Sequence, residues 1–234
     1  MKTERIKIDG IPATVWGEGS DRVWIAVHGN LSHKEDEVVR LLAEAATERG
    51  YEVLSFDLPE HGERKGDPTY LCKVQNCVRD LKTVLAYAKA NFREMNLWAC
   101  SMGAYFSLLA YRDEPIEKCL FLSPVVDMLT IIENLMAWSC VTESMLQEKR
   151  EIQTDFGQTL YWDYYEYVKE NPNTRWDKPT SILYGSRDMM QAETIVRAFA
   201  KEFGCALSIL KNGEHFFHTQ DQLDCYQAWL RDQL

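Results

Sequence analysis

Unbroken apolar runs alternate with amphipathic stretches along most of this 234-residue chain, and no other feature limits the fold as strongly. Val23 to Val27 is one such run, ending at His28-Gly29. The stretch from Lys34 to Arg49 then places Val38, Leu41, Leu42 and Ala45 at helical spacing, before the stop signal of Gly50. The pattern repeats as a strand over 52–58, a helix over 72–92, a strand over 95–100, a helix over 102–112 and a strand over 119–122. Further along come a strand over 181–184, a helix over 192–203, a strand over 206–210 and a closing helix from Gln220. Strands that are apolar on both faces must be covered on both, so the spacing predicts an α/β fold with a mostly parallel twisted sheet and helices on both faces. Arg5 to Ile8 and Ala13 to Trp16, with a turn at Asp9-Gly10, predict an antiparallel hairpin at the start of that sheet.

One segment breaks the alternation. Between Pro124 and Pro179 no strand pattern is visible, only helical sequence rich in Met, Trp and Tyr. It is too long for a plain connection, which predicts a helical cap over 125–178 inserted into a core domain made of 1–124 and 179–234. A single core of this size, with an insertion, suits the chain length.

Apolar residues make up 46% and charged residues 26%, which excludes a disordered chain. The net charge of −10 is spread along the sequence and argues against nucleic acid as a partner. The first residues lack the apolar run of a signal peptide and no later stretch is long and apolar enough for a membrane span, so a cytoplasmic protein is expected. The composition leaves the oligomeric state open. Cys72, Cys77, Cys100, Cys119, Cys140, Cys205 and Cys225 include no C-x-x-C pair and are expected to be reduced, with neither a disulfide framework nor a metal site.

The segment Leu97-Trp98-Ala99-Cys100-Ser101-Met102-Gly103 runs an apolar strand directly into a helix, with Ser101 at the junction. A nucleophilic serine on such a sharp turn needs small residues two before and two after it, and Ala99 and Gly103 are small. The competing reading is an ordinary helix N-cap serine. A serine hydroxyl needs a base, and among five histidines His215 is favoured because it follows the last strand and its turn; His218 is the alternative. His28 and His61 precede glycines in turns and His33 lies in a loop. The imidazole needs a carboxylate from another strand end, for which Asp188 is the first choice and Asp127 the rival. Glu214 adjoins His215, but neighbouring side chains in an extended turn diverge. Backbone donors for an oxyanion are expected from Met102, which follows the serine, and from Asn30 in the turn after Val27, with Leu31 in reserve.

Taken together, His28-Gly29-Asn30, Asp57 to Gly62, Ala99-Cys100-Ser101-Met102-Gly103, Gly185 to Asp188 and Gly213-Glu214-His215-Phe216 resemble the motifs of the α/β-hydrolase superfamily. The similarity is greatest to its small cytoplasmic esterases and lipase-like members with a helical cap. The resemblance implies a Ser101, Asp188, His215 order of catalytic residues, Asn30 and Met102 as oxyanion donors, no cofactor, and a structural rather than catalytic turn over Asp57 to Gly62. Ala99 stands where the family usually has glycine, and Glu214 where a small residue is common. The expected activity is hydrolysis of small to medium apolar or aromatic carboxylic esters through an acyl-enzyme. A thioesterase, amidase or peptidase would use the same residues, and a non-catalytic ligand-binding relative is the alternative of another class.

Overall fold

The chain, described by a computed structural model over residues 1–155 and 157–234, opens with β1 (Thr3–Ile8), β2 (Ile11–Trp16) and β3 (Arg22–Val27). There follow α1 (Glu37–Glu48), β4 (Glu52–Phe56), α2 (Val74–Asn91), β5 (Glu94–Cys100), α3 (Met102–Ala110) and β6 (Cys119–Leu122). The chain continues through α4 (Met128–Trp138), α5 (Glu143–Lys149), β7 (Glu151–Gln153), β8 (Thr159–Tyr161) and α6 (Trp162–Glu170). It closes with β9 (Thr180–Gly185), α7 (Glu193–Phe203), β10 (Ala206–Leu210) and α8 (Gln220–Gln233).

Eight strands form one sheet in the order β1-β2-β4-β3-β5-β6-β9-β10. β1, β2 and β4 pair antiparallel, and every pair from β4 to β10 is parallel. Because β3 lies between β4 and β5, the chain reverses its direction of travel across the sheet there, and a crevice opens at the carboxyl ends of β3 and β5. The register levels those ends: Val27 is opposite Ala99, Cys100 opposite Leu122, Leu122 opposite Leu183 and Gly185 opposite Leu210.

Successive strand residues face opposite layers. Trp24, Ala26, Trp98, Leu120 and Leu183 pack under α1 and α8, while Val23, Ile25, Val27, Leu97, Phe121 and Ile182 pack under α2, α3 and α7. The segment between β6 and β9 extends this second layer: Ile132 and Met136 of α4, Leu146 of α5, and Trp162, Tyr165 and Val168 of α6 belong to the same cluster. Many of its large apolar side chains are therefore buried, but Trp138 remains 67% and Met145 37% exposed.

Two expectations need correction. The segment between β6 and β9 is not wholly helical, for β7 and β8 pair as a small antiparallel hairpin. Three residues per strand are too few to display a period of two, and the pairing is closed by Thr154 N–H donating to the Gln158 carbonyl at 2.8 Å. Helix α1 starts at Glu37, not Lys34, because the Lys34 N–H and ammonium are both drawn to Asp57, at 2.9 and 3.0 Å, and Asp36 takes the N-cap position. Among the described residues no helix is long and apolar enough to cross a membrane.

Candidate active site

Ser101 joins β5 to α3 with φ 51° and ψ −125°, a conformation that non-glycine residues rarely adopt. The geometry is fixed from both sides: Ser101 N–H donates to the Leu122 carbonyl at 3.1 Å, and the Ser101 carbonyl accepts from Val125 N–H at 3.0 Å. Such strain persists only where the surroundings over-determine it. Gly103 has to be glycine because α3 starts against the end of β3; a Cβ there would meet the Val27 carbonyl oxygen at 2.6 Å and that of His28 closer still. On the other side the turn after β3 passes so near that a Cβ on Gly29 would lie 2.9 Å from Ser101 Cβ.

Ser101 Oγ is 2.8 Å from His215 Nε2, and His215 Nδ1 is 2.7 Å from Asp188 Oδ2. The Asp188 carboxylate is fully buried, and the imidazole is 21% exposed. The other carboxylate oxygen accepts from the N–H groups of Met190, at 2.8 Å, and Gln191, at 3.3 Å, so its own loop holds Asp188 in place. Gly185 and Gly213 bring that loop against the one carrying His215: a Cβ on Gly185 would meet Gly213 C and O at 2.5 Å, and Arg187 N–H donates to the Gly213 carbonyl at 2.7 Å.

The competing residues are occupied elsewhere. Asp127 caps α4, accepting from Thr130 N–H at 3.1 Å and Thr130 Oγ1–H at 2.6 Å. His218 Nδ1 lies 2.8 Å from the Phe216 carbonyl and 3.5 Å from Glu214, away from Ser101. Met102 is the first residue of α3, so its N–H is among those a helix leaves unpaired at its start. Asn30 is exposed in the turn beside Ser101, and Leu31 follows it with φ 58° and 91% exposure.

The family model described as serine aminopeptidase, S33, matches residues 19–157, more than half of the chain. The chain belongs to that family. Solved structures agree on the α/β-hydrolase fold. Est1E from Butyrivibrio proteoclasticus, with ferulic acid bound, has a TM-score of 0.77 at 20% identity, over 98% of this chain and 96% of its own. Mouse alpha/beta hydrolase domain-containing protein 10 has a TM-score of 0.78 at 15% identity, over 100% and 98%. An esterase from Pyrococcus furiosus has a TM-score of 0.70 at 19% identity, over 99% and 88%. No curated protein sequence matches the chain.

Two polar residues of this α/β hydrolase were not singled out by its sequence for the places they hold. Gln191, 1% exposed, accepts from Val126 N–H and Asp127 N–H, both at 2.9 Å, and thus ties the Asp188 loop to the chain leaving β6. No periodicity marks it, since its partners are more than sixty residues away. His61 places Nε2 3.2 Å from Asn30 Oδ1 and Nδ1 2.8 Å from the Pro59 carbonyl. With an oxygen acceptor at each nitrogen the ring is suited to its protonated form. Burial opposes that charge, but the Cys72 thiol and the Pro59 carbonyl outweigh it, and the His61 pKa is raised.

Its neighbour His28 behaves in the opposite way. Leu58 N–H donates to His28 Nε2 at 3.1 Å and Nδ1 faces the Gly29 carbonyl at 2.8 Å, which fixes a neutral ring protonated at Nδ1. Complete burial pushes its pKa down to about 4. Among the described residues no group of three or more His, Cys, Asp or Glu side chains is placed to hold a metal ion. A cavity of about 500 Å³ opens between α4, α6 and α7, but its walls, which include Tyr105, Val126, Met128 and Phe199, contain neither Ser101 nor His215.

Proposed function

We propose that this hydrolase is a serine carboxylesterase acting through an acyl-enzyme, with Ser101 as nucleophile, His215 as base and Asp188 as the group that orients it. The observation that carries the reading is the unbroken row from Ser101 Oγ to His215 Nε2 at 2.8 Å and from His215 Nδ1 to Asp188 Oδ2 at 2.7 Å. Ser101 Oγ attacks the ester carbonyl carbon as its proton passes to His215 Nε2, and the Asp188 carboxylate stabilises the imidazolium without taking the proton. The N–H groups of Asn30 and Met102 receive the oxyanion. Collapse of the tetrahedral intermediate returns the proton to the leaving alcohol, and water then repeats the sequence on the acyl-enzyme.

The preferred substrates are small to medium apolar or aromatic esters. Leu31, Met189 and Phe216, each next in sequence to a site residue, are 91%, 89% and 61% exposed, and Met190 is 52% exposed. Exposed apolar side chains next in sequence to the site residues favour apolar groups and make a charged substrate costly to desolvate. The ferulic acid bound to Est1E supports an aromatic acyl group. We read residues 125–178 as a cap on the core of 1–124 and 179–234. A second reading, cleavage of N-terminal amino acids from peptides, follows from the family's description.

The test pairs a fluorophosphonate label with chromogenic esters of graded acyl length and aminoacyl anilides. We expect labelling at Ser101, loss of it in Ser101→Ala, and turnover of esters over anilides. Anilide turnover in excess would select the peptidase reading, and absence of labelling would remove both.

A further inference from the structure

One cluster of reactive side chains takes no part in the proposed reaction. Cys72 and Cys77 hold their sulfur atoms 3.6 Å apart. Cys77 is buried in the first turn of α2, while Cys72 is half-buried on the irregular stretch just before it. The cluster lies where three parts of the molecule meet. Cys72 N–H donates to Glu60 Oε2 at 2.5 Å, beside His61, whose ring reaches Asn30 in the turn next to Ser101. Lys73, the next residue, holds Asp163 of α6 at 2.8 Å and so ties this stretch to the inserted segment.

The two thiols differ in chemistry. A thiolate, not a thiol, reacts with peroxides and disulfides, and an adjacent cation favours it. The Cys77 thiol as partner, with the nearby His61 ring, overcomes burial and brings Cys72 down to about 6. Burial has the opposite effect on Cys77, which is raised and keeps its proton. Cys100, next to Ser101, is likewise held protonated by burial, at about 12.

We propose that Cys72 is an oxidation site for hydroperoxides, resolved by Cys77 as a Cys72–Cys77 disulfide that slows chemistry at Ser101. In the first step the Cys72 thiolate attacks one peroxide oxygen, the O–O bond breaks, and hydroxide or alkoxide leaves; sulfur loses two electrons and becomes a sulfenic acid. In the second, Cys77 gives up its proton and attacks the Cys72 sulfur. The S–S bond forms as the S–O bond breaks, and the departing hydroxide takes the proton as water. Closing 3.6 Å to a bond of about 2.05 Å requires a shift of roughly 1.5 Å. Cys77 is fixed in α2, so Cys72 moves, carrying Lys73 and drawing its N–H away from Glu60, the residue before His61. That disturbs the histidine touching Asn30, and this last step rests on the hydrolase reading.

The experiment treats the full chain with hydrogen peroxide and digests it with trypsin without reductant. Trypsin cuts after Lys73, so the disulfide joins the peptide ending there to the one beginning at Val74. We expect that joined pair to form before Cys140 or Cys225, the exposed cysteines, is modified. We expect Cys77→Ser to stop at a dimedone-reactive Cys72, and Cys72→Ser to remove the response. In oxidised wild type, fluorophosphonate labelling of Ser101 should be roughly tenfold slower and recover with dithiothreitol, a smaller loss than the roughly 10²–10³ for an oxyanion donor removed outright. Earlier oxidation of other cysteines, or a disulfide that leaves labelling unchanged, overturns the proposal. Reduced protein that does not label at all removes the hydrolase reading and the coupling with it, while the joined peptides still decide the thiol chemistry.

Discussion

Asp188 uses its two carboxylate oxygens for different purposes: Oδ1 holds its own loop through Met190 and Gln191, and Oδ2 faces His215 Nδ1. Asparagine could keep the first and would spoil the second. An amide nitrogen at the Oδ2 position cannot accept from Nδ1–H, so the imidazole would turn to the tautomer protonated at Nε2 and could no longer take the proton of Ser101. Asp188→Asn should therefore lower ester kcat by about 10⁴ with the unfolding midpoint little moved. Asp127→Asn makes the comparison. Asparagine caps helices as well as aspartate does, so turnover and stability should both stay near wild type. A large loss of kcat in Asp127→Asn beside an active Asp188→Asn would transfer the acid role to Asp127.

The strand ends deliver these residues through close backbone approach, and here the contact between the β9–α7 and β10–α8 connections is decisive. On Gly185 a Cβ would strike Gly213 backbone at 2.5 Å and the Glu214 carbonyl at 2.6 Å, whereas on Gly213 it would meet Gly185 Cα and the Leu210 side chain only at 3.1 Å. Gly185→Ala should therefore push the Asp188 and His215 connections apart and cost about 1–3 kcal/mol in urea denaturation, with slower labelling of Ser101. Gly213→Ala should be milder in both measurements; equal effects would show that this contact does not set the spacing. Elements of this kind were legible in the sequence to different degrees. The long strands and helices announced themselves by period, and Ser101, Asp188 and His215 by their places after apolar runs. The β7–β8 hairpin was not legible, since three-residue strands carry no period. Gln191 and His61 were not, because what defines them is a partner distant in sequence: the Val126 and Asp127 amides for one, Asn30 for the other.

Across the whole molecule, buried titratable groups make stability depend on pH, and the sign follows from which state binds more protons. His28 has a folded pKa of about 4, below its ordinary 6.5, because burial excludes the charged ring. Between those values the unfolded chain binds more protons than the folded one, so stability is full above 6.5 and falls as pH drops toward 4. Glu35, brought down to about 2 mainly by its hydrogen bond to Arg5, adds a loss in the same direction at lower pH, from its ordinary 4.5 downward. His61 opposes the first trend: its pKa is raised, so its contribution is present below the ordinary value and disappears as pH rises through the folded one. The His28 part is separable by difference. From pH 8 to pH 5 it should remove about 2 kcal/mol of unfolding free energy. His28→Gln, which cannot titrate, should show a shallower decline over that interval even though the loss of two hydrogen bonds lowers its stability throughout. Identical slopes for the two proteins would mean that His28 is protonated in the folded state, which is incompatible with a ring that accepts from Leu58 N–H at Nε2.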